Sequence, residues 1–130
     1  MKHLYIFCLI LCLHLIPQAS WAQMPNGIIL GLRHGDVKEI SNYLGDNVEL
    51  YLLDKDDVYS KNQATQILQQ FFAQNKPSSL SMVHQSEKNE HQYAIMKLET
   101  SGGSYQVSVL VRSVSELVVI SQLQIVASEL

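Results

Sequence analysis

Cysteine is nearly absent: the chain has two, Cys8 and Cys12, both close to the amino terminus. Everything after them lacks thiols, so neither a disulfide framework nor cysteine chemistry serves the rest of the chain. Basic clusters are also missing. Nine lysines and arginines stand against twelve acids, and no two of the basic residues are adjacent. A nucleic-acid binder needs a basic face, so that class is set aside. A helix lying on a membrane needs lysine on its polar side, and the best helical pattern carries Gln and Asn there. There is no repeat, low-complexity tract or long linker. No Gly-x-Ser-x-Gly nucleophile motif occurs either.

The first 22 residues read as a signal peptide. Lys2 supplies a positive start, and Leu4 to Ile16 forms an apolar run. Pro17 breaks that run, and Ser20-Trp21-Ala22 puts small residues at the two positions a signal peptidase reads. A run of about 13 residues is short for a bilayer span, which needs about 20. Neither cysteine ends the run, so no lipid-attachment pattern is present. Lys2 is the sole charged residue in this stretch, so residues 23–130 carry a formal charge of −4, against −3 for the whole chain. Those 108 residues make one domain, expected to be periplasmic or secreted with no stable membrane span after cleavage.

Helical signals come first in that domain. Ile28, Ile29 and Leu32 recur at helical spacing until Gly35, a left-handed stop. Asp36 with Glu39 forms a capping box for a second helix using Val37, Ile40, Tyr43 and Leu44, ended by Gly45. Val48, Leu50 and Leu52 then alternate with Glu49 and Tyr51 as a half-buried strand. Asp54 to Asp57 reads as a solvated acidic turn, since the glycine and distal Glu of a calcium loop are missing. Ser60 and Gln63 form another capping box, and Ala64, Ile67, Leu68, Phe71 and Phe72 give a broad apolar helix face.

After Pro77 the apolar period becomes two. Leu80, Met82 and His84 share one face, as do Ala94, Met96 and Leu98. Ser101-Gly102-Gly103 signals a hairpin, followed by alternating Tyr105, Val107, Val109 and Val111. Past a turn at Ser115-Glu116, Val119, Ser121, Leu123 and Ile125 share a face. The expectation is an α+β domain, a curved antiparallel sheet of about four long strands wrapped around N-terminal helices. Gln106, Ser108, Leu110, Gln122 and Gln124 line the opposite face, a composition that suits a wet homodimer interface or another exported protein.

The order of elements resembles the cone fold of nuclear transport factor two and ketosteroid isomerase. It is more closely similar to an uncharacterised family of secreted domains from Gram-negative bacteria. The residues that carry the likeness are Gly35-Asp36, Val48-Glu49-Leu50, Tyr59-Ser60-Lys61, Gln63-Ala64, Phe71-Phe72, His84, Tyr93-Ala94-Ile95, Leu98-Glu99-Thr100 and Tyr105-Gln106-Val107. The chain departs from that pattern at Met96, where a glycine is usual, and at Gln106, where an arginine is usual. In such a cone the candidate ligand-binding residues are Tyr51, Tyr59, His84, Tyr93 and Tyr105.

Two chemistries are weighed against this. An isomerase- or dehydratase-like enzyme needs a carboxylate base in an apolar setting with an oxyanion donor nearby. Glu49 or Glu99 with Tyr51, Tyr93 or Tyr105 are the candidates, but both glutamates alternate away from apolar neighbours, toward solvent. His84 and His91 flank a polar turn with Glu87 and Glu90, yet two imidazoles do not close a metal site. The expected pair is one half-buried and one surface histidine. No catalytic residue, metal or cofactor is assigned, and the expected function is non-enzymatic binding of a small ligand or exported protein. The compartment is checked by amino-terminal sequencing of periplasmic and culture fractions. Cleavage after Ala22, leaving Gln23 first, is the expected result, and full-length protein in the cytosol would refute it.

Overall fold

A computed structural model describes residues 24–128, so the segment expected to be a signal peptide lies outside the described residues. Helix α1 (Asn26–His34) stops at Gly35, whose φ of 66° is left-handed. A side chain there is strained, and its Cβ would also meet Phe72 and Pro77 at 3.1 Å. Helix α2 (Val37–Ser41) is capped by Asp36, whose carboxylate accepts from the Glu39 N–H. Strand β1 (Leu44–Leu52) and strand β2 (Lys55–Ser60) form a hairpin. Helix α3 (Lys61–Gln74) starts from the complete Ser60–Gln63 capping box. Strands β3 (Pro77–Lys88), β4 (His91–Thr100), β5 (Gly103–Val114) and β6 (Leu117–Ala127) follow as a meander.

All six strands join one sheet, in the order β2-β1-β6-β5-β4-β3. This corrects the expected count of about four. It also corrects the expectation of a purely antiparallel sheet, because β1 runs parallel to β6. The same pairing shortens α2. Tyr43 and Leu44 leave the helix, and the Tyr43 carbonyl accepts the Ile120 N–H at 2.6 Å. A tertiary ladder thus overrides the local helical spacing.

The helices pack on one face of the sheet. Val48, Leu50, Ala94, Met96, Leu98, Val107, Val109, Leu123 and Ile125 are fully buried with Leu68 of α3 and Ile28 and Leu32 of α1. Two bulges change which residues belong to that inner face. In β3, Met82 pairs with Met96 but His84 pairs with Ile95, leaving Val83 without a partner. His84 therefore sits on the outer face, apart from Leu80 and Met82. In β6, Val111 pairs with Ile120 and Leu110 with Gln122, leaving Ser121 unpaired. Ile120 is buried in consequence, while Val119 and Ser121 are half-buried.

A polar knot locks the end of α3 inside the sheet. Buried Asn75 donates its amide to the Phe71 carbonyl and accepts the Tyr105 hydroxyl, each at 3.0 Å. Phe71 stacks edge-on with Phe72 and Tyr105, at centroid separations of 5.1 and 5.0 Å. Phe71 is thus a keystone between helix and sheet. Phe71→Ala is expected to cost about 3–5 kcal/mol as a large-to-small core change. Chemical denaturation checks it: an unchanged midpoint would remove Phe71 from the core.

Candidate functional site

The five candidate ligand-binding residues do not converge. Tyr105 lies in the core and makes the hydrogen bond to Asn75. Tyr59 is half-buried, pairs with inward Val48 and packs on the same core. Tyr51, Tyr93 and His84 are on the outer face. Tyr51, Gln124, Ser108, Ile95 and His84 form one cross-strand row. Tyr51 and His84 end that row four strand spacings apart, about 19 Å along the sheet. His84 and His91 are both exposed, which corrects the expected half-buried histidine. Among the described residues, no three His, Cys, Asp or Glu side chains gather as a metal site would need.

The carboxylates sit in polar surroundings. Glu49 is exposed. Glu99 accepts a hydrogen bond from the Ser104 hydroxyl and pairs with Lys97 at 3.3 Å. The Ser104 hydrogen bond first, then the Lys97 ammonium, holds its carboxyl below the usual carboxylate range. A carboxylate lowered in this way is a weaker base than one raised by burial in an apolar setting.

A concavity that combines apolar and charged groups lies elsewhere, at one end of the sheet. It is a cleft of about 610 Å³ between the start of β1, the first residue of α3 and the tip of the β5–β6 hairpin. Its origin is a break in the parallel ladder. Leu44 pairs with Ile120 and Glu49 with Gln122, so five steps along β1 match two along β6. The surplus Gly45-Asp46-Asn47 segment leaves the β6 ladder, and all three residues line the cleft with bulged Ser121.

Two kinds of side chain meet in this cleft. Val114, Leu117, Val118 and Val119 make an aliphatic wall, with the buried Leu44 and Ile120 beside them. Lys61 and Arg112 bring two cations, and neither has a salt bridge or side-chain hydrogen bond among the described residues. Asn42, Asn47 and Ser121 add polar groups, and Asp46 a carboxylate. The hairpin tip is strained, because Ser115 and Glu116 both have positive φ, at 48° and 68°. Such two-residue turns favour Asn-Gly for that reason. The Ser115-Glu116 turn was legible in the sequence. The shared cleft of Lys61 and Arg112 was not, because 50 residues separate them and no local pattern encodes the ladder break.

The family described as "Domain of unknown function (DUF4783)" matches residues 25–126. A DUF4783 protein from Bacteroides ovatus is 30% identical with a TM-score of 0.78, covering 82% of this chain and 97% of that one. Another from Bacteroides uniformis is also 30% identical with a TM-score of 0.78, over 83% of this chain and 100% of its own. An NTF2-like protein from Cytophaga hutchinsonii has a TM-score of 0.60 at 7% identity, over 79% and 91% of the two chains, a likeness of fold alone. No curated protein matches the chain. The resemblance drawn from the residue pattern, to an uncharacterised domain on this cone fold, is what these matches show.

The Glu99 environment has a pH signature. Its folded pKa is depressed, so its stabilising contribution is full above the ordinary carboxylate pKa and is lost as pH falls through the folded value. Ser104→Ala removes the leading cause. Carbon-detected NMR titration should place the Glu99 midpoint higher in that variant than in the parent, and equal midpoints would deny the hydrogen bond its role.

Proposed function

We propose a function from this premise: the chain belongs to the DUF4783 family of domains of unknown function. It is an exported, non-enzymatic binding module whose small ligand occupies the cleft at the end of the sheet. One observation carries this reading. An open cleft of about 610 Å³ combines an aliphatic wall with two cations that lack counter-ions among the described residues. Ligand sites of about 300–1,000 Å³ commonly pair apolar lining with a few placed polar groups. The alternative, an isomerase- or dehydratase-like enzyme using the cone interior, has less support. Tyr105 and Phe71 pack into that interior, and Glu99 is biased toward its charged form.

A homodimer through the outer sheet face belongs to the same proposal. On that face Ser108 is buried and Gln106, Leu110, Gln122 and Gln124 are half-buried, a mixture suited to a wet symmetric interface.

The test is a thermal-shift screen of small ligands on the mature protein, with each hit mapped by amide chemical shifts. A ligand at a hundred times its Kd stabilises the folded state by about 2.7 kcal/mol, a rise of roughly 10 °C for a domain of this size. Expected hits shift the amides of Gly45, Asn47 and Ser121. Hits that map to another surface would remove the cleft as the site. Light scattering on the same samples reads the assembly, and one chain's mass throughout a dilution series excludes the stable dimer.

A further inference from the structure

We infer that the cleft takes a free amphiphilic monoanion: one anionic headgroup on an aliphatic chain. The inference rests on the reading of the cleft as the binding site and names its ligand class. Charge comes first. Lys61 and Arg112 line the cleft with Asp46, a formal charge of +1 on a domain that is otherwise acidic. Neither cation has a counter-ion among the described residues. One added negative charge balances the site, whereas a polyanion would overcharge it against Asp46 and the net negative charge of the domain.

The wall defines the rest of the molecule. Val114 and Leu117 face each other across the hairpin turn, yet they are 43% and 69% exposed. Both line the cleft, so a ligand there covers apolar surface that the domain's own packing leaves in water. Among the described residues, the lining contains no aromatic ring. Planar bases and aromatic ligands are bound largely by stacking on such rings, so an aliphatic chain fits this wall better. The same charge count favours a dissolved amphiphile over a bilayer. Membrane attachment draws on clusters of about four or more lysines and arginines, and this cleft presents two, Lys61 and Arg112, beside Asp46.

The experiment is NMR titration of the mature protein with decanoate, decanol and acetate. Decanoate should bind with shifts at Gly45 and Ser121, and decanol and acetate at least tenfold more weakly. Octanoate should bind about fivefold to tenfold more weakly than decanoate, since two methylenes are lost from a partly open wall. Raising salt should weaken decanoate and leave decanol unchanged. Arg112 and Leu117 are exposed, so their variants keep the fold. Arg112→Gln should weaken decanoate about tenfold and spare decanol, whereas Leu117→Ser should weaken both. Decanol binding as tightly as decanoate, or an Arg112→Gln variant equal to the parent, overturns the monoanion while shifts at Gly45 and Ser121 keep the cleft as the site. Decanoate shifts that cluster on another surface overturn both. No saturable shift with decanoate overturns the ligand class. Co-sedimentation with phosphatidylglycerol vesicles should leave the protein in the supernatant, and pelleting would assign the headgroup to a bilayer lipid instead of a free amphiphile.

Discussion

The parallel pairing of β1 with β6 organises this domain. Leu50 lies beside Leu123 and Leu52 beside Ile125, all buried at 5% exposure or less. The partners are some 70 residues apart in the chain. Closing so long a loop costs little more than closing a short one, because the entropy grows as the logarithm of length, about 0.6 kcal/mol per doubling. Burial of the paired leucines and isoleucine readily offsets that increment. The pairing places the β1–β2 hairpin beside the last strand of the meander, and all six strands then enclose α3 and α1 on one face. It also fails for a short stretch, and the failure is as consequential as the pairing. A regular ladder from Leu44 to Leu52 would seal the end of the sheet. The surplus Gly45-Asp46-Asn47 segment opens it instead.

The interior and the rim divide the chemistry between them. Inside, the carboxy-terminal end of α3 is tied down by Asn75, which bridges the Phe71 carbonyl and the Tyr105 hydroxyl. Each buried polar atom of that bridge has a partner, so it adds orientation without the penalty of an unsatisfied group. Gly102 of the β4–β5 turn lies directly against the Asn75 amide, and the Ser101 N–H donates to the Lys76 carbonyl at 2.9 Å. Helix end and hairpin are therefore one unit. The Gln92 side-chain oxygen, by contrast, is buried without a hydrogen-bond partner among the described residues. At the rim, Glu99 keeps its charge through Ser104 and Lys97. Its setting suits a surface ion pair and opposes proton abstraction.

Bulges explain where alternation and structure part company. Period-two reasoning carries a strand's inward face forward as long as each residue has one partner. At Val83 and Ser121 two residues oppose one, and the face inverts. His84 thereby leaves the face of Met82, and Ile120 takes the inward place expected of Val119. Neither residue carries a local signal for this. Val83 lies between Met82 and His84 on an edge strand, and Ser121 lies within an apolar run that either phase would satisfy.

The sequence by itself determined the elements whose cause is local. Ser60 and Gln63 cap α3 because their side chains reach backbone groups within one turn. Gly35 ends α1 because it enters the left-handed region without a Cβ. Phe71, Phe72 and the Val107–Val111 alternation mark the core because burial follows the helical and strand periods. The α+β class followed from those elements in order. Tertiary structure alone decided the parallel β1–β6 ladder, the six-strand count, the two phase inversions and the cleft. Each depends on which distant backbone groups meet. A backbone amide has the same donor and acceptor in every residue but proline, so its partner is chosen by the packing of the whole sheet and leaves no mark in the residues beside it.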